Sequence, residues 1–236
     1  MRVAVVIPAL DEERSLPLVL AEIPRPPVDD IVVVDNGSRD RTASLARAAG
    51  ATVVLEPRTG YGRACLAGLA YLAASPPDIV VFLDADYSDR PRELPALIDP
   101  ILSGRADLVI GSRVLGKCEP GALLPQARWG NWLATRLMQL LFGVRFTDLG
   151  PFRAARFQTL SQLDMRDTDY GWTAEMQAKA ARVGARALEV PVSYHRRIGR
   201  SKITGTAKGT VLAGFRILTT ILRCRFAPLP ALERSG

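Results

Sequence analysis

Cysteine is scarce: there are three, at positions 65, 118 and 224, with no CxxC spacing. A disulfide framework or a cysteine zinc site needs closer pairs, so neither is expected, and the pattern suits a reducing compartment. The single histidine, His195, reads as a structural imidazole rather than a catalytic one. Aromatics are only 6% of the chain and no nucleic-acid-binding motif is visible, which counts against a nucleic-acid module. No run reaches the roughly 18 uninterrupted apolar residues of a membrane span. The nearest, TVLAGFRILTTILRCRF (210–226), is punctuated by Arg216, Arg223 and Arg225. It reads as an amphipathic helix, fit either to lie on a membrane or to close a soluble domain. The N-terminal MRVAVVIPALDEE has too short an apolar run for a signal peptide and reads as a first strand. No repeat, low-complexity tract or linker appears.

What is present is apolar content of 48%, enough for a sizeable core, and a formal charge of +7. A basic surplus points to phosphates, nucleic acid or an anionic membrane surface, or to no more than a soluble basic exterior. In the first half, short apolar runs alternate with helix-like stretches. The runs are 3–7, 31–34, 52–55, 79–83 and 108–110; helices are expected from 15, over 40–49, 62–73 and 91–102. Runs without period-two alternation, each followed by a helix, predict βαβ units and an open, mostly parallel sheet with helices on both faces. In the second half, helices are expected over 126–142 and up to a cap at Gly184, with a strand over 187–190. FTDLGPFRAARF reads as a loop, and HRRIGRSKITGTAKG as a basic, glycine-punctuated loop.

Ligands of such sheets sit beyond the carboxyl ends of the strands. There the chain places PALDEE, DNGSRD and DADYSD, acids that a core does not need. Asp84 and Asp86, two apart just past a strand, can converge on one hard cation, Mg²⁺ or Mn²⁺. Without one they repel. The plain alternative is a pair of solvated turn aspartates. Asp35 can accept from a base N–H or a ribose hydroxyl, while Asn36, Gly37 and Ser38 also read as a turn and helix start. Pro8, Ala9, Leu10, Asp11 and Glu12 offer a similar strand end, and Gly62 in TGYGRA offers close backbone approach.

The ordered set VVIPALDEE, VVVDNGSRDRT, FLDADYSD, LVIGSR and RIGRSK resembles the family-2 glycosyltransferases of the GT-A fold. DLGPFRAARF, YGWTAEMQAKAARVGARALEVPVSYHRR and GRSKITGT are similar to the polyprenyl-phosphate sugar synthases within it, of the dolichyl-phosphate-mannose and -glucose type. The resemblance runs over nearly the whole chain. It implies a single domain over 1–226: a nucleotide-binding half at 1–115, an acceptor half at 116–205, an amphipathic helix at 206–226, then a tail at 227–236. It implies that Asp84 and Asp86 hold the cation bridging the donor diphosphate. Asp35 would contact the base, and residues 8–11 would line the nucleoside pocket with Ala85. Arg113, Arg128, Arg197, Ser201 and Lys202 would face phosphates. The family often has a second acid where Asn36 stands, which leaves the base contacts open.

The chemistry of the residues agrees. A leaving diphosphate is stabilised by a divalent cation with nearby Arg and Lys. An alcohol acceptor needs a general base, for which Asp148 and Glu175 are candidates; a lipid phosphate is already anionic and needs positioning. The expectation is an inverting, metal-dependent enzyme moving a sugar from a UDP- or GDP-sugar to an undecaprenyl or dolichyl phosphate. It would act in the cytoplasm, with peripheral contact at the cytoplasmic face. A soluble acceptor, a nucleic-acid module and a nucleotidyltransferase stay open as alternatives. Oligomeric state and sugar identity are not legible.

Overall fold

β1 (Val3–Ala9) shows why the early apolar runs do not alternate. Val3, Val5, Ile7 and Ala9 pack into one core, and Ala4 and Val6 into another. With both faces covered, both parities must be apolar. The structure, a computed structural model, describes residues 1–199 and 207–227, with side chains from residue 212 onward in the second segment. β2 (Asp30–Asp35), β4 (Ile79–Phe82) and β5 (Leu108–Ser112) divide their side chains between the two cores in the same way. β3 (Thr52–Leu55), β6 (Arg153–Arg156) and β7 (Ala187–Pro191) complete a seven-stranded sheet of order β3-β2-β1-β4-β6-β5-β7.

One face is covered by α1 (Leu16–Glu22), α2 (Thr42–Ala48) and α4 (Leu94–Leu102). The other takes α3 (Tyr61–Leu72), α5 (Pro125–Phe142), α6 (Phe157–Leu163), α7 (Trp172–Val183) and α8 (Ala207–Phe226). Its largest buried side chain is Trp172, whose ring meets Phe82 edge-on at 5.8 Å between centroids. Gly184 closes α7 in the left-handed conformation, as the sequence predicts. The thiols of Cys65, Cys118 and Cys224 are all free.

The stretch expected to be a loop, FTDLGPFRAARF, instead supplies β6 and the start of α6. β6 runs antiparallel to both its neighbours, β4 and β5, and is the one antiparallel strand among the described residues. Its sequence, RAAR, has no β-branched residue and no run of apolar bulk, so propensity is silent there. What fixes it is fit: Ala154 and Ala155 are fully buried between flanking strands. Arg153 is also fully buried. Its guanidinium donates to the carbonyls of Gly150 and Thr173, and burial pushes its pKa down to about 10.

Candidate functional site

The register brings the acidic strand ends together. Ala9 pairs with Asp35 across β1 and β2, and Val6 with Phe82 across β1 and β4. All three strands run parallel, so their carboxyl ends open onto one crevice. A cavity of about 280 Å³ lies there. β1 and the turn after it contribute Pro8, Ala9, Leu10 and Glu12; β4's end contributes Asp84, Ala85 and Asp86.

Other wall residues come from stretches the sequence marks as turns or, in TGYGRA, as a place for close backbone approach. Asn36 follows β2, Thr59, Gly60 and Tyr61 open α3, and Asp169 and Tyr170 come from the turn before α7. Asn36 is a bracket between loops. Its Nδ2 donates to the carbonyls of Glu56 (3.0 Å) and Arg58 (2.8 Å), and its Oδ1 accepts the Gly60 amide at 2.8 Å. Partners twenty or more residues away leave no local trace, so this role was invisible in the sequence. Asp169 and Tyr170 did leave one, as turn residues opening a helix.

Four expected nucleotide contacts do not line this cavity. Asp35 is buried and accepts the Ser38 amide at 3.1 Å, closing the turn into α2. Asp11, in the left-handed region at φ 52°, takes the Arg39 amide at 2.7 Å and so ties the loop after β1 to the loop after β2. Gly37 serves that same turn with φ 88°. Gly62 is a packing glycine: a Cβ there would lie 2.1 Å from the Asp167 carbonyl oxygen. Close backbone approach is needed, as expected of TGYGRA, but to another loop of the protein.

The acidic couplet is uneasy by itself. Asp84 is half-buried, with one carboxylate oxygen, Oδ1, enclosed and lacking any hydrogen-bond partner. Burial, and then the charge of Asp86, raise its pKa to about 7. Asp86, which is buried, meets Arg197 Nη2 at 3.0 Å and accepts the Ser88 amide at 2.9 Å. Asp89, in the same DADYSD stretch, is buried with both oxygens unpartnered, and burial, with Asp84 next, pushes its pKa far up. A surplus of buried, unpaired oxygen ligands fits a hard divalent cation. Among the described residues, no set of three or more His, Cys, Asp or Glu side chains forms a cage.

The candidate bases are placed otherwise than the sequence suggests. Asp148 is fully buried and holds Arg113 through both oxygens, at 2.8 Å from Nε and 2.7 Å from Nη2, and takes the Arg113 amide as well. Its lone pairs are committed to orienting that guanidinium. Burial opposes the Arg113 charge, yet Asp148 outweighs it and keeps the pKa above the ordinary arginine range. Glu175 accepts the amides of Arg166 and Asp167 and pairs with Lys179 Nζ at 2.7 Å, so it fastens the loop before α7. Neither lines the cavity at the strand ends.

Arg113 and Arg197 do converge. Both border an apolar groove of about 510 Å³ between α5 and α8, walled by Leu124, Trp129, Leu133, Ile217 and Leu218 among others. Arg197 is shared by this groove and the cavity at the strand ends. Arg128, exposed on α5, lines a separate cavity of about 620 Å³ with Arg113, Arg136 and Arg145. Ser201 and Lys202 lie outside the described residues. His195 has the expected structural setting: its amide donates to the Ser88 carbonyl at 2.8 Å, and its Nδ1 lies 3.5 Å from Glu119.

Residues 4–164 match the family described as Glycosyl transferase family 2. An uncharacterized glycosyltransferase of Mycobacterium tuberculosis is 41% identical over 214 residues, spanning 89% of this chain and 94% of the relative. The undecaprenyl-phosphate mannosyltransferase of Micrococcus luteus is 34% identical over 230 residues, spanning 89% and 90%. Among solved structures, glucosyl-3-phosphoglycerate synthase of M. tuberculosis, in complex with Mn²⁺, UDP-glucose and phosphoglyceric acid, superposes with a TM-score of 0.77. The identity is 27%, over 96% of this chain and 80% of that one.

Proposed function

The chain belongs to glycosyl transferase family 2 and has the GT-A fold, and from that premise we propose that it moves a hexosyl group from a UDP- or GDP-sugar to a polyprenyl phosphate. The observation that carries this reading is the apolar groove between α5 and α8, which is lined by Arg113, Arg196 and Arg197 as well as by apolar side chains and shares Arg197 with the cavity at the strand ends. An apolar trough bordered by guanidiniums matches the chemistry of an isoprenoid chain ending in phosphate. The relative from M. luteus, whose name specifies undecaprenyl phosphate, supports the same acceptor class.

The donor nucleoside is assigned to the cavity walled by residues 8–12, Asn36, the Thr59–Tyr61 turn and Ala85. Asp84 and Asp86 would hold Mg²⁺ or Mn²⁺, which when bound neutralises charge on the leaving diphosphate. Mn²⁺ with a UDP-sugar in the solved neighbour supports that. Arg197 binds phosphate at the junction of the two spaces, and Asp148 orients Arg113 at the groove. An acceptor phosphate oxygen attacks the anomeric carbon as the bond to the nucleoside diphosphate breaks. The electron pair leaves with the diphosphate, and the configuration inverts. The acceptor arrives anionic, so no side chain need take a proton. Residues 1–115 form the donor half, 116–205 the acceptor half, and Asp169, Tyr170 and Arg197 of the second half reach into the first.

A second reading has its own support. The cavity of Arg113, Arg128, Arg136 and Arg145 suits a small soluble phosphate, and the solved neighbour holds phosphoglyceric acid. Labelled UDP- and GDP-sugars with Mn²⁺, offered undecaprenyl phosphate or phosphoglycerate, separate the two. Label in the organic phase is expected. Label confined to a water-soluble phosphoester would transfer the assignment to the second reading.

A further inference from the structure

α8 buries one side and leaves the other bare. Ala213, Thr220, Ile221 and Cys224 are buried, whereas Phe215 is 68% and Phe226 79% exposed, with Leu212 and Leu222 exposed in register. Positions 212, 215, 222 and 226 fall on one helical stripe, with Thr219 between. The stripe forms one side of a shallow trough that also includes Arg216 and Arg223. α5 packs beside α8 and repeats the composition: Trp129 is 64% and Leu140 81% exposed, Trp132 is exposed, and Arg128 and Arg136 stand among them. Neither helix carries an Asp or Glu, while α8 contains Arg216, Arg223 and Arg225 besides Lys208.

We infer that α5 and α8 form a docking face for an anionic lipid bilayer. Aromatic and aliphatic side chains on one stripe, edged by arginines, with Asp169 from the turn before α7 the one carboxylate lining the trough, suit the boundary between acyl chains and negative headgroups. Among the described residues no helix is long and apolar enough to cross, so the contact is in-plane. A second copy of the chain is the poorer occupant. Two such faces meeting about a twofold axis would set one arginine row against another with no carboxylate from either helix between them. The face is also continuous with the site. Asp167 Oδ2 takes Thr220 Oγ1 at 3.1 Å and Arg216 Nε at 3.3 Å, while its Oδ1 takes the amides of Asp169 and Gly171. α8 is thereby fixed to the turn that walls the donor cavity. The inference goes beyond the acceptor reading and is tested on vesicles containing no polyprenyl phosphate.

The test is flotation of the full chain with vesicles of phosphatidylcholine alone or with phosphatidylglycerol added. Wild type is expected to bind the anionic vesicles at least about tenfold better, with the difference collapsing in high salt. Phe215→Ser with Phe226→Ser should abolish binding, and Arg223→Gln with Arg225→Gln should remove the anionic preference. Both variants should keep the wild-type melting temperature and nucleotide-sugar thermal shift; if the Phe pair melts early, Leu222→Ser replaces it. Wild type failing to float, or the apolar variants floating as well as wild type, overturns the inference. So does a dimer, dissolved by the same substitutions, in a protein that ignores vesicles. Vesicle binding without any lipid-linked product would sink the acceptor reading and leave the docking face standing.

Discussion

Arg197 reaches Asp86 in the wall of the cavity at the strand ends, Nη2 to Oδ2 at 3.0 Å. A guanidinium therefore occupies one carboxylate of the couplet assigned to the cation. Cation and Arg197 compete for Asp86, and a donor diphosphate offers Arg197 a new partner.

That competition makes Arg197→Gln informative. Mn²⁺ affinity without nucleotide should rise several-fold, while donor affinity and turnover fall by tenfold or more, the loss of a charged hydrogen bond worth about 1.5–3 kcal/mol. Titration calorimetry with Mn²⁺ alone and with UDP-sugar checks both signs. A parallel fall in both affinities would remove the competition.

Asp84→Asn and Asp86→Asn should each erase the Mn²⁺-dependent part of the nucleotide-sugar thermal shift. Turnover should drop by roughly a hundredfold or more, because the leaving diphosphate loses its counter-charge. Asp84→Asn should not lower the metal-free melting temperature, since one oxygen of the wild-type carboxylate is enclosed without a partner and burial and Asp86 disfavour its charged form.

Asp148→Asn separates an anchor from a base. Arg113 is nearly buried, with 12% of its side chain exposed, and would lose its ionic partner. Breaking such a pair costs about 3–5 kcal/mol. A large fall in melting temperature is expected with an unchanged shape of the pH–rate curve. A lost ionisation at wild-type stability would restore Asp148 as a proton acceptor.

Asp107 predicts part of the acid limb of stability. Hydrogen bonds from the Arg186 side chain chiefly hold its pKa below the ordinary carboxylate value, with Arg186 Nη2 at 2.7 Å from Oδ1. The carboxylate's contribution is complete above the unfolded pKa, near 3.9, and disappears as pH falls through the lower folded value. The arginine is half exposed, so the effect is about 1 kcal/mol or less. Urea melts of Asp107→Asn and wild type should differ at pH 6 and converge near pH 2.

Gly62→Ala should destabilise by roughly 1–3 kcal/mol, as overpacking against backbone does. The contact is with the Asp167 carbonyl, which cannot rotate away as a side-chain tip can.

The couplet at Asp84 and Asp86 and the crevice around it were legible because covalent sequence fixes them: a buried strand with carboxylates at its end has few physical explanations. The β1, β2 and β4 boundaries followed from apolar runs whose packing on both faces demanded them. β6 was not legible, since two alanines between arginines acquire strand character only from the neighbours they fit. Asp148 and Glu175 illustrate the same gap. A carboxylate in a turn looks free in the sequence, and only the fold shows which backbone amides and cations claim it. Asn36 was read as a turn residue although its side chain joins three positions on a distant loop.

The reversed strand β6 has a consequence for reach. Arg153 is level with Phe82 on one side and Ile110 on the other, so the tips of β4 and β5 stand two strand spacings apart, about 10 Å. The main-chain ladder thus acts as a ruler between the acids after β4 and Arg113 after β5. The gap is set by hydrogen-bonded peptide units, so swaps of surface side chains leave it unchanged, and only a register slip or a bulge in β6 would alter the span available to the migrating sugar.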